Sequence, residues 1–328
     1  MRVTPQGDTI NSFAIAAFSS VQTYPALVFN GTDYIAVWSD CQLGRYYINT
    51  TRITPAGTIP GSYYWVGAAG SQDEDSPDIA DNGARCLCVW SEEYAGVKGR
   101  FINHLGSPED TVFMVAPFTI TSYTAPAIAS DGNNFLIVWF ERSASGDWDI
   151  LGQLISAQGS PIGASITIAT GANSQYDTDV LFDGVQYFVV WRETSNFIYG
   201  QRVDVNGSLL GPAIPVSNAT SNYRYQPTLV NSRDNYLIVW SELQGDYFDV
   251  YGNIDVVPVG VSETIRPVAA SGKHGIPTVI SGPIARPSGK DIALYDILGR
   301  TVRHAFLETG IYYIACRGVI TQKLIIVQ

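Results

Sequence analysis

Five acidic side chains stand at one recurring address. Asp40, Glu92, Glu141, Glu193 and Glu242 each follow a tryptophan by two residues, after Trp38, Trp90, Trp139, Trp191 and Trp240. Carboxylates accept hydroxyl hydrogens, and flat aromatic rings cover the C–H patches of a sugar, so acids beside aromatics suit a carbohydrate. The segments before and after these acids are rich in rings: Tyr24, Tyr123, Tyr176, Tyr223 and Tyr225 on one side, Tyr94, Trp148, Tyr247 and Phe248 on the other. The expected ligand-binding set is therefore Tyr123, Trp148, Tyr176, Tyr225 and Tyr247, with Glu141 and Glu193 as hydroxyl acceptors. A second reading stands beside it. An acid repeated in every unit can instead fix the unit, for instance by pairing with Arg52, Arg100 or Arg202, because positions shared by all repeats maintain the stacking of one on the next.

Hydrolysis of a glycan needs two carboxylates roughly 5–10 Å apart in unlike environments, one keeping its proton. The five acids are nearly uniform, which weighs against catalysis at them. Asp147, Asp149, Asp177 and Asp179 could break that symmetry, and each reads as a solvated loop carboxylate. No Ser-His-Asp arrangement, phosphate-cradling glycine loop or dinucleotide fingerprint is visible. No cofactor is expected; Asp73-Glu74-Asp75 could hold calcium but lacks the spacing of an EF-hand loop. Binding of a glycan or an extracellular protein leads this reading, with a glycoside hydrolase or lyase and a structural surface-layer component as alternatives.

The elements that must position these residues follow from the spacing. The tryptophans are 52, 49, 52 and 49 residues apart, a period that marks a repeat architecture. Each unit reads as four strands. The first begins near Pro25, Pro77, Pro126, Thr178 or Pro227, and in four units it ends in a turn at Asn30-Gly31, Asn82-Gly83, Asp131-Gly132 or Asp183-Gly184. The second is the tryptophan run, whose unbroken apolar character requires burial on both faces. The third closes at Gly57, Gly106, Gly159, Gly207 or Gly260. Five such units predict an all-β fold, a five-bladed β-propeller with four-stranded blades over residues 1–265. Residues 2–17 begin inside a third-strand pattern and could complete the last blade, fastening the ring.

Composition agrees. Nineteen tyrosines, thirteen phenylalanines and thirty-one glycines against two methionines describe strands and turns. A net charge of −11 argues against nucleic acid or an anionic membrane as partner. No segment is long and apolar enough to span a bilayer as a helix. Four cysteines are too few for a disulfide scaffold; Cys86 and Cys88 read as buried small hydrophobes. Zinc is not expected, since Cys41 and Cys316 have no paired spacing and His104, His274 and His304 are scattered.

Past Gly260 the period fails. Residues 266–280 read as a linker, and 281–328 as a separate small β domain. Leu294-Tyr295-Asp296, Gly299-Arg300, Gly310-Ile311-Tyr312 and Lys323 occur in the order and spacing of the Ig-like C-terminal sorting domain of type IX secretion, which this stretch resembles. The resemblance implies export to the exterior or outer surface of a bacterium through that machinery. It implies nothing about activity.

Overall fold

The computed structural model describes residues 12–254 except 68–71, 118–123, 219–220 and 232–234, with isolated strands beyond. The chain divides into two compact units, Met1–Gly260 and Val261–Gln328. The first opens with β1 (Arg2–Val3) and β2 (Thr9–Asn11), paired with each other. Five antiparallel blades follow. Blade 1 is β3 (Val21–Phe29), β4 (Tyr34–Gln42), β5 (Arg45–Ile53) and β6 (Tyr64–Trp65). Blade 2 is β7 (Glu74–Asp81), β8 (Cys86–Glu92), β9 (Gly96–Ile102) and β10 (Phe113–Pro117). Blade 3 is β11 (Ala127–Ser130), β12 (Phe135–Arg142), β13 (Trp148–Ile155) and β14 (Pro161–Ala169). Blade 4 is β15 (Gln175–Phe182), β16 (Tyr187–Glu193), β17 (Ile198–Val203) and β18 (Leu209–Pro215). Blade 5 shows, among the described residues, β19 (Arg224–Asn231), β20 (Tyr236–Gln244) and β21 (Tyr247–Ile254). The five-bladed all-β propeller read from the tryptophan period is thus observed.

The apolar tryptophan runs form the second strands because alternate side chains serve two neighbours at once. Leu87 and Val89 of β8, with Val97 and Phe101 of β9, pack on Phe135, Ile137 and Trp139 of the next blade. Leu136 and Val138, pointing the other way from β12, pack on Tyr187, Val189 and Trp191. Trp90, Trp139, Trp191 and Trp240 therefore each face the preceding blade. The hairpin glycines take the positive φ that the turns demand, with Gly31 at 89° and Gly132 at 90°. The preceding Asn30 or Asp131 accepts the N–H groups two and three residues on, which holds the turn closed.

Two expectations change. The N-terminal residues do not complete blade 5: β1 pairs with β2, and β21 has no fourth-strand partner among the described residues. Phe13, Ile15 and Ala16 instead cover Ala36, Trp38 and Ile53 of blade 1, which buries the Trp38 indole. The sorting-domain resemblance and the Ig-like sandwich fall, apart from isolated strands such as Gly310–Cys316, outside the described residues. No helix among the described residues is long and apolar enough to cross a membrane.

Candidate functional site

Where the first strand enters blades 1, 2, 4 and 5, a β-bulge interrupts the register. It falls between Thr23 and Ala26, Asp75 and Asp78, Tyr176 and Asp179, and Tyr225 and Thr228. The residue inside it has positive φ: Tyr24 at 48°, Ser76 at 52°, Asp177 at 51° and Gln226 at 50°. Non-glycine side chains are held in this region only by their surroundings, and bulges of this kind re-aim the side chains around them.

At blades 3 to 5 those residues join a row of rings. Trp148 lies 5.7 Å from Tyr176, and Phe140 lies 5.6 Å from Trp148 and 5.8 Å from Tyr176. The Arg192 guanidinium stands 4.6 Å above the Tyr176 ring and 5.1 Å above Tyr225. Tyr225 in turn meets Phe248 edge-on at 5.6 Å. Arg192 donates from Nε to Asp177 Oδ2 at 2.6 Å, and the same oxygen accepts the Gln226 N–H at 3.2 Å. A planar guanidinium can lie on a ring while its edge binds a carboxylate, so one residue links two blades. A hollow of about 410 Å³, lined by Asp177, Arg192, Tyr225, Gln226, Ser241 and Phe248, opens beside it.

Of the residues expected to bind, the structure gathers Trp148, Tyr176 and Tyr225 through Arg192. Tyr247 is 78% exposed next to Phe248. Tyr123 lies outside the described residues. Glu141 is buried and accepts Trp139 Nε1 at 3.3 Å. Glu193 accepts from Asn173, Gln175 and Ser195 and borders a different hollow, of about 400 Å³, with Trp191, Tyr199 and Gln201. The physical reason is the period of a strand: the acid lies two residues from the tryptophan and shares its face, whereas Arg192 between them points to the next blade.

The other acids also bond inside their blades. Asp40 accepts from Ser20 at 2.6 Å, Gln22 at 3.1 Å, Gln42 at 2.7 Å and Asn49 at 3.1 Å. Glu92 meets Lys98 at 2.5 Å, and Glu242 meets Arg224 at 2.7 Å. The arginines named from sequence go elsewhere, Arg52 to Asp33 and Arg100 to the carbonyl oxygen of Val66. Arg202 is buried. Burial pushes the Glu242 carboxyl up, but bonds from Arg224, Asn222 and Trp240 outweigh it and leave the group below its ordinary value. In the Asp73–Asp75 run, Asp73 accepts the Tyr46 N–H, Glu74 the Ile48 N–H and Asp75 the Ser76 N–H.

Two carboxylates on the first strands behave differently from the rest. Asp78 Oδ2 accepts the Ile128 N–H of blade 3 at 2.9 Å. Asp179 Oδ2 accepts the Leu229 N–H at 3.1 Å and the Thr228 hydroxyl at 2.6 Å, both from blade 5. Asp179 is not a solvated loop carboxylate; it lies on a strand with protein packed around it. Desolvation, then the charge of Asp179, pushes Asp78 up to about 7 despite two backbone donors. Desolvation raises Asp179 as well. A half-buried carboxylate that also feels a like charge gives up its proton less readily than a solvated one.

Sequence reasoning passed over Arg192, Asp78 as an acid of interest, and the environment of Asp179. Their signal was departure from the repeat. Arg192 occupies a position held by Ser39, Ser91 and Ser241 in other blades, and Asp78 and Asp179 align with Ala26, Ala127 and Thr228.

No protein-family model and no curated protein sequence matches this chain. Among solved structures, the endo-arabinase from Bacteroides thetaiotaomicron is similar at 11% identity, covering 72% of this chain and 95% of that one, with a TM-score of 0.46. The alpha-L-arabinofuranosidase from Lactobacillus brevis shows 8% identity, coverage of 72% and 90%, and a TM-score of 0.44. The catalytic domain of the Coprinopsis cinerea GH62 alpha-L-arabinofuranosidase shows 11% identity, coverage of 71% and 89%, and a TM-score of 0.43. Values this low lend this chain neither a residue role nor a reaction.

Proposed function

We propose that this propeller acts on carbohydrate and that a glycan chain lies along the row Trp148, Tyr176, Arg192, Tyr225 and Phe248. The row itself is the observation that carries the reading. Consecutive rings 5–6 Å apart, interrupted by a cation with its own counter-ion, offer alternating apolar faces and hydrogen-bonding edges, as a string of sugar rings does. Asp177 accepts hydroxyl hydrogens, and Arg192 donates to ring or hydroxyl oxygens. The test is binding of the full chain to a polysaccharide panel that includes arabinan, xylan and cellulose oligomers. Trp148→Ala and Tyr176→Ala should each weaken the best ligand by about 0.5–1.5 kcal/mol beyond area loss, with little change in stability. Unchanged binding in both variants sinks the assignment.

Hydrolysis is the second reading, and one observation favours it. Asp78 and Asp179 supply the asymmetry that the Trp-x-acid positions lack, and Asp78 keeps a proton near pH 7, as a general acid must. The uniformity of the five repeated acids therefore no longer counts against an enzyme. Release of reducing ends from a bound polysaccharide, lost in Asp78→Asn and Asp179→Asn while binding persists, establishes cleavage. Binding without release, at any pH between 4 and 8, leaves the protein a lectin-like module. Export to the bacterial exterior belongs to this proposal, resting on the tail motif; deletion of residues 281–328 should retain the protein inside the cell.

A further inference from the structure

On the hairpin-turn end of blade 2, Asp81, Cys86 and His104 bring one carboxylate oxygen, one thiol sulfur and one imidazole nitrogen within 4.8 Å of one another. We propose that these three side chains form a binding site for Zn2+ or a similar borderline divalent transition metal ion. The juxtaposition follows from the register. Asp81, last in β7, is directly opposite Cys86, first in β8, and Cys86 is opposite Ile102 of β9. His104 lies two residues beyond Ile102, in the turn that follows β9, and its ring reaches back to Asp81.

The repeat shows that this combination is peculiar to blade 2. At the position of Asp81 the other blades carry Phe29, Ser130, Phe182 and Asn231; at that of Cys86 they carry Tyr34, Phe135, Tyr187 and Tyr236. At the position of His104 stand Pro55, Ala157 and Val205 in blades 1, 3 and 4. Three departures from the repeat converge on one point, and all three are metal-ligating residue types. A conserved packing role would not require that.

The geometry fits a tetrahedral ion. His104 Nε2 lies 2.7 Å and Cys86 Sγ 3.4 Å from Asp81 Oδ1. Ligands at the usual zinc bond lengths of about 2.0–2.3 Å are about 3.3–3.8 Å apart in a tetrahedron, so the two separations from Asp81 widen by up to roughly half an ångström to seat the ion, while the third pair already lies within 4.8 Å. The support is rigid. Gly83 N–H fixes Asp81 Oδ2 at 2.9 Å, and the Asn103 side chain accepts the N–H groups of Leu105 and Ser107 at 3.0 Å each. Cys86 is fully buried, while the His104 side chain keeps 32% of its surface, which gives an entry path and leaves a fourth position for water. On binding, the thiol proton passes to solvent and the imidazole ligates through a ring nitrogen lone pair. Thiolate, carboxylate and Zn2+ then sum to zero charge, so exchange of the thiol proton for the ion neutralises the negative charge of the Asp81 carboxylate. The sulfur and nitrogen donors select against Ca2+ and Mg2+, which prefer oxygen.

The experiment is titration of the full chain with Zn2+ by calorimetry and with Co2+ by absorbance. One equivalent of zinc should bind, Co2+ should give a thiolate charge-transfer band in the near ultraviolet, and the melting temperature should rise with zinc concentration. Cys86→Ala and His104→Gln should each weaken zinc at least about a hundredfold and abolish or shift the band. Cys88→Ala, two residues along the same strand, should keep both. His104→Gln is the second line of evidence should Cys86→Ala fail to fold, since that side chain is partly exposed. Absence of one-equivalent binding in the wild type, a band that survives Cys86→Ala, or unchanged zinc affinity in His104→Gln overturns the site.

Discussion

The junctions between successive blades and the two faces where blade 5 and blade 1 have no such neighbour among the described residues are made from the same repeat positions, yet they differ in burial. Ile48, Val97, Ile150 and Ile198 occupy one position in blades 1 to 4 and are fully buried; its blade 5 counterpart, Val250, is 78% exposed. Ile79, Ile128 and Val180 are 5%, 5% and 6% exposed, whereas Leu27 at the same position of blade 1 is 58% exposed. Residue type is constant along each series. What changes is the presence of the next sheet, so the stability of a blade resides in its interfaces more than in its own hydrogen-bonded ladder, as expected of stacked repeats.

The largest effect that would test this contrast is loss of a junction tryptophan. Trp139→Ala removes an indole that is 1% exposed between blades 2 and 3, and should cost about 3–5 kcal/mol in urea unfolding of the full chain. A cost below about 1 kcal/mol would mean that the junctions do not carry the fold.

Charged groups sharpen the comparison through pH. Asp78 is raised in the folded state, so the fold binds its proton more tightly than the unfolded chain does. Its contribution is favourable at low pH and is lost as pH climbs from about 4 to about 7, at about 1.4 kcal/mol per unit at most. Asp78→Asn removes the titrating group and should flatten that slope, although its one oxygen replaces only one of the two that accept the Ile79 N–H (Oδ1) and the Ile128 N–H (Oδ2). Glu242 has the opposite sign: its stabilisation is present above the ordinary glutamate value near 4.5 and disappears as pH falls through its depressed folded value. Glu242→Gln should therefore destabilise the protein at pH 7 and much less at pH 3. Equal effects at both pH values would contradict the ion-pair account of blade 5.

Smaller still is the change expected at the ring row. Tyr176→Ala should alter glycan binding by about 0.5–1.5 kcal/mol beyond area loss while moving the melting temperature little, because Tyr176 keeps accessible surface. Smallest of all, Val250→Ser on the uncovered face of blade 5 should change stability by no more than about 0.5 kcal/mol, since an exposed side chain has little burial to lose. A large loss there would show that this face is covered in solution.

Much of the architecture was legible because it depends on local pattern. The 52 and 49 residue intervals, the unbroken runs such as Phe188-Val189-Val190-Trp191, and the Asn-Gly and Asp-Gly turns each impose strand, burial and hairpin without reference to the rest of the chain. Trp148, Tyr176 and Tyr225 were legible as rings on entry and exit loops. The role of the repeated acids was not. Whether Glu141 faces a ligand or the indole two residues before it turns on which side of a strand is solvent, and both sides of β12 are interior.

The sequence by itself determined the number of blades, the order of their strands and the residue types available at each repeated position, because these follow from period and propensity. Only the tertiary structure decided which departures from the repeat meet. Arg192 reaches Tyr225 of the next blade, Asp78 feels Asp179 two blades away, and His104 closes on Asp81 and Cys86. These encounters are set by the stacking of sheets and by strand register, which join residues from 18 to 101 positions apart, and no local pattern encodes them.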